Sequence, residues 1–161
     1  MVNRLETLRL KIDELIKEKQ PENDKYFFVH LYGVSQFCTL LALKRNLNIE
    51  LATTCGMLHD IYPVLSGSYE NHGKRGAEQA RKILEEINLY NDEEISIITK
   101  AISRHSKKNK IHEPYDELLK DGDVMSHCLY NTDFPINEKE IERFKNILNE
   151  FGCSKTDYYY R

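Results

Sequence analysis

The chain has 161 residues and a formal net charge of −3, with 40% hydrophobic and 30% charged residues. This balance is typical of a globular protein and excludes a largely disordered chain. The lack of net positive charge argues against a nucleic-acid polymer or an anionic membrane as partner. With about 150 residues per domain as a guide, we expect one domain over residues 1–161.

Targeting and redox signals indicate the cytoplasm. The first residues already carry charge at Arg4 and Glu6, and we expect no apolar segment of the roughly 18 residues that would span a bilayer. The four cysteines form no CxxC pair, which argues against a zinc–thiolate site and favours a reducing compartment. A soluble, cytoplasmic protein is therefore expected.

Helical periodicity runs through most of the chain, and no segment shows the alternation of a strand. The predicted class is therefore all-α, with about six to seven helices. These helices cover about residues 2–19, 24–44, 49–61, 72–87, 92–104, 115–130 and 137–151. The second helix is apolar nearly all round, so we expect it to be the central helix.

Residues with capping or turn preferences separate the helices. N-caps are predicted at Asn23 or Asp24, at Asn48, at Asn91 or Asp92, and at Asn137. Asn46 is expected to end the second helix in the left-handed conformation, and Gly152 to end the last one. A loop is expected after the third helix, at Pro63, Gly67 and Ser68. Residues 153–161 are expected to form a tail.

Histidines and aspartates stand at helix ends or on helix faces that otherwise point to the core. Because burial of an unpaired charge is costly, several such positions together indicate a shared partner. Divalent first-row metals favour imidazole and carboxylate ligands. The candidate ligands are His30, His59, Asp60, His72, His105 and Asp123. For His30 taken alone, a core histidine bonded to a backbone carbonyl is the competing interpretation.

These residues and their context resemble the HD-domain metal-dependent phosphohydrolases over about residues 24–131. The family pattern is a histidine in an early helix, a later His-Asp doublet, further histidines in some branches and a distal aspartate. Here it is met by His30, by Leu58-His59-Asp60-Ile61, by His72-Gly73-Lys74, by Arg104-His105-Ser106 and by Asp121-Gly122-Asp123. The resemblance implies a single-domain helical HD fold, with the helices over 2–19 and 137–151 packed on the motif-bearing core.

The resemblance also implies one or two divalent transition metal ions per chain, of Fe, Mn, Co, Ni or Zn. A first ion would be held by His30, His59, Asp60 and Asp123, and a second by His72, His105 and the bridging Asp60. A metal-activated water would hydrolyse a phosphate ester or anhydride, often of a nucleotide. The ligand set is similar to that of symmetrical dinucleoside tetraphosphate hydrolases. The expected partner is therefore a small phosphorylated substrate.

Further site residues are predicted from their position and charge. Asp60 is a catalytic residue as the bridging ligand. His127, four residues after Asp123, would be an acid for the leaving group or a partner of a ligand, and a packed histidine beside Cys128 is the alternative. The candidate substrate-binding residues are Arg104, Lys107, Lys74 and Lys120, unless they are solvated helix ends. Together with Arg75 and Lys108, they would compensate for the Gly-Lys that follows the doublet in many relatives, where this chain has Tyr62-Pro63.

Two other functions fit the same residues. The ligand set also resembles that of HD-fold di-iron oxygenases, which activate dioxygen, and the residues alone do not distinguish the two chemistries. A binding or sensing module would hold metal and nucleotide without turnover. The terminal amphipathic helices could pair across a homodimer or close the core of one chain.

Overall fold

The computed structural model describes residues 3–19, 21, 24–130 and 135–153. Within these ranges it contains helices and no strand, which confirms the predicted all-α class. The eight described helices are α1 (Arg4–Lys19), α2 (Asp24–Arg45), α3 (Ile49–Leu58), α4 (Ile61–Ser66), α5 (His72–Ile87), α6 (Asp92–Arg104), α7 (Pro114–Tyr130) and α8 (Glu138–Glu150).

The short helix α4 stands where we predicted a loop. Pro63 lies in its first turn, where a backbone N–H has no partner within the helix and its absence costs little. Gly67 ends the helix in the left-handed conformation, with φ of 69°. The prediction of a loop was therefore wrong at Pro63, which lies within a helix, and correct at Gly67 and Ser68, which follow it.

Most of the predicted helix ends are confirmed. The side chains of Asn48, Asn91 and Asn137 each accept a hydrogen bond from a backbone N–H in the first turn of α3, α6 and α8, respectively. Asn46 and Gly152 are left-handed after α2 and α8, with φ of 53° and 74°. Asn23, residues 131–134 between α7 and α8, and the tail from 154 onward lie outside the described residues.

α2 is the central helix, and two glycines let its neighbours approach it closely. A Cβ on Gly56 of α3 would lie 2.4 Å from Cα of Ser35, and one on Gly122 of α7 would lie 2.7 Å from Sγ of Cys38. Only glycine fits at contacts this short. The close packing places the end of α3 and the middle of α7 beside His30 of α2.

By length and composition alone, α2 is also apolar enough to cross a membrane. The expectation that no segment meets this criterion is therefore corrected, since residues 26–43 contain no Asp, Glu, Lys or Arg. Burial within a protein core requires the same composition, and α2 packs its inner face against α3 and α7. The cytoplasmic location stays a prediction.

The terminal helices contribute to the same core as α2. Leu8, Ile12 and Ile16 of α1 are buried there, as are Phe144 and Ile147 of α8. Both helices thus cover the segment that carries the predicted ligands. The assignment of the whole chain to one domain stays a prediction.

Candidate metal centre

The six predicted ligands meet in one cluster, which we call the His/Asp cluster. Distant parts of the chain contribute to it, and its members are buried apart from a half-buried histidine at the start of α5. They are His30 in α2, His59 at the end of α3, Asp60 between α3 and α4, His72 in α5, His105 at the end of α6, and Asp123 in α7.

The backbone orients three of the four histidines in the same way. Nδ1 of His59, His72 and His105 lies 2.8, 2.9 and 2.7 Å from the carbonyl oxygen three residues earlier. Because a carbonyl oxygen only accepts, each Nδ1–H donates the hydrogen bond. Nε2 of each neutral ring is therefore left with a lone pair that faces the cluster.

Asp60 lies between two pairs of histidines. Its Oδ2 is 3.7 Å from Nε2 of His30 and 3.6 Å from Nε2 of His59. Its Oδ1 is 3.7 Å from Nε2 of His72 and 3.4 Å from Nε2 of His105. Although Asp60 is the N-cap of α4, its side chain makes no capping hydrogen bond. The carboxylate thus offers one oxygen to each pair.

Asp123 stands beside the first of these pairs. Its Oδ1 is 3.5 Å from Nε2 of His30 and 3.8 Å from Nε2 of His59. Its Oδ2 accepts a hydrogen bond from the ammonium of Lys108. The two oxygens of Asp123 therefore have different partners, the histidines on one side and a lysine on the other.

Unsatisfied polar atoms show that the cluster fits metal ions. Oδ1 of Asp60 and Oδ1 of Asp123 are buried without a hydrogen-bond partner among the described residues. Nε2 of His72 and Nε2 of His105 are 3.2 Å apart, and in neutral rings with Nδ1–H both would offer a lone pair to an ion. In a tetrahedral site, ligand atoms about 2.1 Å from one ion are about 3.4 Å apart, close to the spacing seen here. The groups on either side of Asp60 could each hold an ion.

Burial and charge favour the protonation states that metal binding needs. Burial lowers the pKa of His30 to about 4 and also lowers the pKa of His59. Burial alone would raise the pKa of Asp123, but the ammonium of Lys108 holds it well below the ordinary range. Neutral imidazole and ionised carboxylate are the forms that bind metal ions.

The cluster opens into a cavity of about 290 Å³. Tyr26 and Tyr69 line this cavity and are partly exposed, and the Tyr26 ring stacks on His30 with centroids 5.3 Å apart. Both tyrosines also line a neighbouring cavity of about 680 Å³, together with the apolar side chains of Phe27, Val64 and Leu65. A ligand at the cluster would have aromatic and apolar surface beside it.

A known family matches most of this chain. The HD domain aligns with residues 27–141, a range that contains every member of the His/Asp cluster. The chain belongs to the HD domain family. HD domains form a superfamily of metal-dependent phosphohydrolases that bind divalent metal ions. The doublet after which the family is named is His59-Asp60 here, at the centre of the cluster.

The chain is also similar to part of a curated relative. Ribonuclease Y of Lawsonia intracellularis (strain PHE/MN1-00) is 28% identical to the chain over 131 residues. The match covers 78% of the chain and 24% of ribonuclease Y, so the chain spans about a quarter of that relative's length. No solved structure matches the chain significantly.

Lys120, which was predicted to bind substrate, is not among the residues that line the cavity at the His/Asp cluster. Its side chain is fully buried, with Nζ 2.7 Å from the carbonyl oxygen of Lys110, 2.7 Å from Nδ1 of His112 and 2.6 Å from Oε1 of Glu117. An ammonium with three partners has no donor left for a ligand. We therefore remove Lys120 from the candidate set.

The other predicted cations are not among the described residues that line the cavity. Arg104 donates to Oδ2 of Asp116 at 2.9 Å, and Lys74 and Lys107 are exposed. The cavity is lined instead by Lys108 and Lys139. Nothing in the sequence distinguishes Lys108 from Lys107 in the same lysine run. The path of the loop between α6 and α7 decides which of them points inward.

Proposed function

We propose that this HD protein hydrolyses a phosphate ester or anhydride of a small organic molecule, with a nucleotide as the favoured class. The carboxylate of Asp60 carries this proposal, because it offers one oxygen to each of two histidine pairs. Divalent ions bound there would activate water and stabilise charge on phosphoryl oxygens. The candidate ligands are His30, His59, Asp60 and Asp123 for one ion, and His72, His105 and Asp60 for the other.

His127 is the proposed proton donor at the open side of the cluster. Its Nε2 is 3.3 Å from Oδ1 of Asp123, and its Nδ1 is 3.1 Å from Oε1 of Glu140. Burial opposes protonation, but these two carboxylates together raise the pKa of His127 above its ordinary value. A protonated imidazole that lines the cavity is suited to protonate a leaving oxygen.

The surroundings of the cluster support an organic phosphate as substrate. Tyr26 and Tyr69 present ring faces and edges beside the cavity. Aromatic side chains of this kind stack on planar rings such as nucleobases. The neighbouring apolar cavity gives room for such a group while the phosphate lies at the cluster.

The first test is elemental analysis of the full chain purified without added metal. We expect roughly two transition metal ions per chain, because the cluster contains two groups of ligands around Asp60. In Asp60→Asn the shared carboxylate is lost, and the metal content should fall below one ion per chain. Asp92→Asn, an exposed position at the start of α6, is the matched control and should keep the wild-type content.

The second test is hydrolysis by the manganese-loaded chain. Its substrates are p-nitrophenyl phosphate, a panel of nucleotides and a short RNA. Release of phosphate or nucleotide that is lost in Asp60→Asn supports the proposal. Two irons with dioxygen uptake and no hydrolysis would favour the oxygenase, and bound metal without turnover would favour a binding module. A chain that takes up no metal would show that the cluster serves packing alone.

A further inference from the structure

Lys108 is held at the edge of the His/Asp cluster. Its Nζ bonds Oδ2 of Asp123 and also donates to the carbonyl oxygen of His105 at 3.1 Å. The carbonyl oxygen of Lys108 accepts a hydrogen bond from Nη2 of Arg143 at 3.0 Å, which ties the loop to α8. The Lys108 side chain is only 11% exposed, so its charge depends on these partners.

The two oxygens of Asp123 allow one cation to replace another. Oδ1 faces the histidines and has no hydrogen-bond partner among the described residues, while Oδ2 holds Lys108. An ion at Oδ1 would neutralise the carboxylate that now attracts the ammonium. A largely buried ammonium would then need a new anion.

A phosphate in the cavity is the anion within reach of Lys108. Among the residues that the structure describes, the lysines that line the cavity are Lys108 and Lys139, and Lys139 is exposed on α8. A lysine carries its charge on a flexible four-carbon stem and binds phosphate as a compact point charge. Lys108 can therefore change partners without any movement of the backbone.

We propose that Lys108 is an exchanging cation, paired with Asp123 in the metal-free protein and with a phosphoryl oxygen once metal ions occupy the cluster. This inference rests on the proposed function, since it requires a metal site that also takes a phosphate. It assigns the phosphate contact to Lys108, one of the six basic residues that the sequence offered for this role.

The inference is tested by titration calorimetry on the full chain, first with Mn²⁺ alone and then with inorganic phosphate added to the manganese-saturated protein. In Lys108→Met we expect phosphate binding to weaken by about tenfold or more, as for loss of a charge-assisted hydrogen bond. Manganese should bind at least as tightly as in wild type, because a neighbouring positive charge is gone. Lys108→Arg keeps the charge and should keep most of the phosphate affinity.

Lys100→Met removes an exposed lysine from α6 and is the control for net charge. Circular dichroism checks the fold of each variant, and Lys108→Gln replaces Lys108→Met if the latter does not fold.

Wild-type chain that binds no manganese would refute the proposed function itself. If wild type binds manganese but no phosphate, or if Lys108→Met keeps its phosphate affinity, only the Lys108 inference fails. Weaker manganese binding in Lys108→Met would also overturn the Lys108 inference, because the role of Lys108 would then be to hold Asp123 in place for the metal ion.

Discussion

At the scale of single residues, the site depends on Gly56, because the lack of a Cβ there lets α3 approach α2 closely. A Cβ on Gly56 would lie 2.4 Å from Cα and 2.7 Å from N of Ser35 in α2, and His59 follows three positions later. We therefore expect Gly56→Ala to lower the free energy of unfolding by about 1–3 kcal/mol, as is typical of overpacking. Urea denaturation of the full chain measures this loss.

Gly33→Ala is the matched control for Gly56→Ala. Gly33 also lies in a helix, but a Cβ there would make an ordinary contact at 3.5 Å with Oγ of Ser126. Replacement of a helical glycine by alanine stabilises by about 0.5–1 kcal/mol when space allows. Equal effects at the two positions would contradict the close approach of α3 to α2.

At the scale of helices, the start of α6 combines a cap with a tertiary contact. Asn91 and Glu94 form a capping box, and Oε1 of Glu94 accepts a hydrogen bond from Nη1 of Arg4 in α1 at 2.9 Å. We expect Asn91→Ala to cost about 1 kcal/mol of unfolding free energy. Asn91→Asp keeps the acceptor and should stay close to wild type in the same urea titration. If both variants lose the same stability, the cap is not the source of the effect.

At the scale of the whole molecule, metal binding should appear as stability. The His/Asp cluster takes ligands from α2, α5 and α7 and from the ends of α3 and α6, so an unfolded chain has no such site. At an ion concentration of 100 times Kd, one site adds about 2.7 kcal/mol. We expect added manganese to raise the Tm measured by scanning calorimetry, and removal of bound metal ions by a chelator to lower it. Asp60→Asn should lose this dependence, and an equal rise in that variant would place the ions elsewhere.

Much of this architecture could be predicted from local sequence, because periodicity and asparagine caps act within a few residues. The cluster could be predicted as a set, since its members stand at helix ends or on helix faces that otherwise point to the core. The division of ligands across Asp60 was implied only by the family resemblance, because it depends on distances between helices far apart in the chain. The inward direction of Lys108 and the burial of Lys120 depend on the path of one loop. Pro63 and Gly67 are compatible with a loop or a short helix, and packing decides between them.

The hydrogen bonds that orient His59, His72 and His105 all end on main-chain carbonyl oxygens. In many metal sites a carboxylate side chain has this task, and one substitution removes it. Here the acceptors belong to Gly56, Tyr69 and Ile102, and a carbonyl oxygen is present whatever side chain stands at 69 or 102. The support of the ligands is therefore insensitive to sequence drift at those two neighbours. As long as the backbone conformation is kept, these rings can keep their orientation in sequences that differ at these positions.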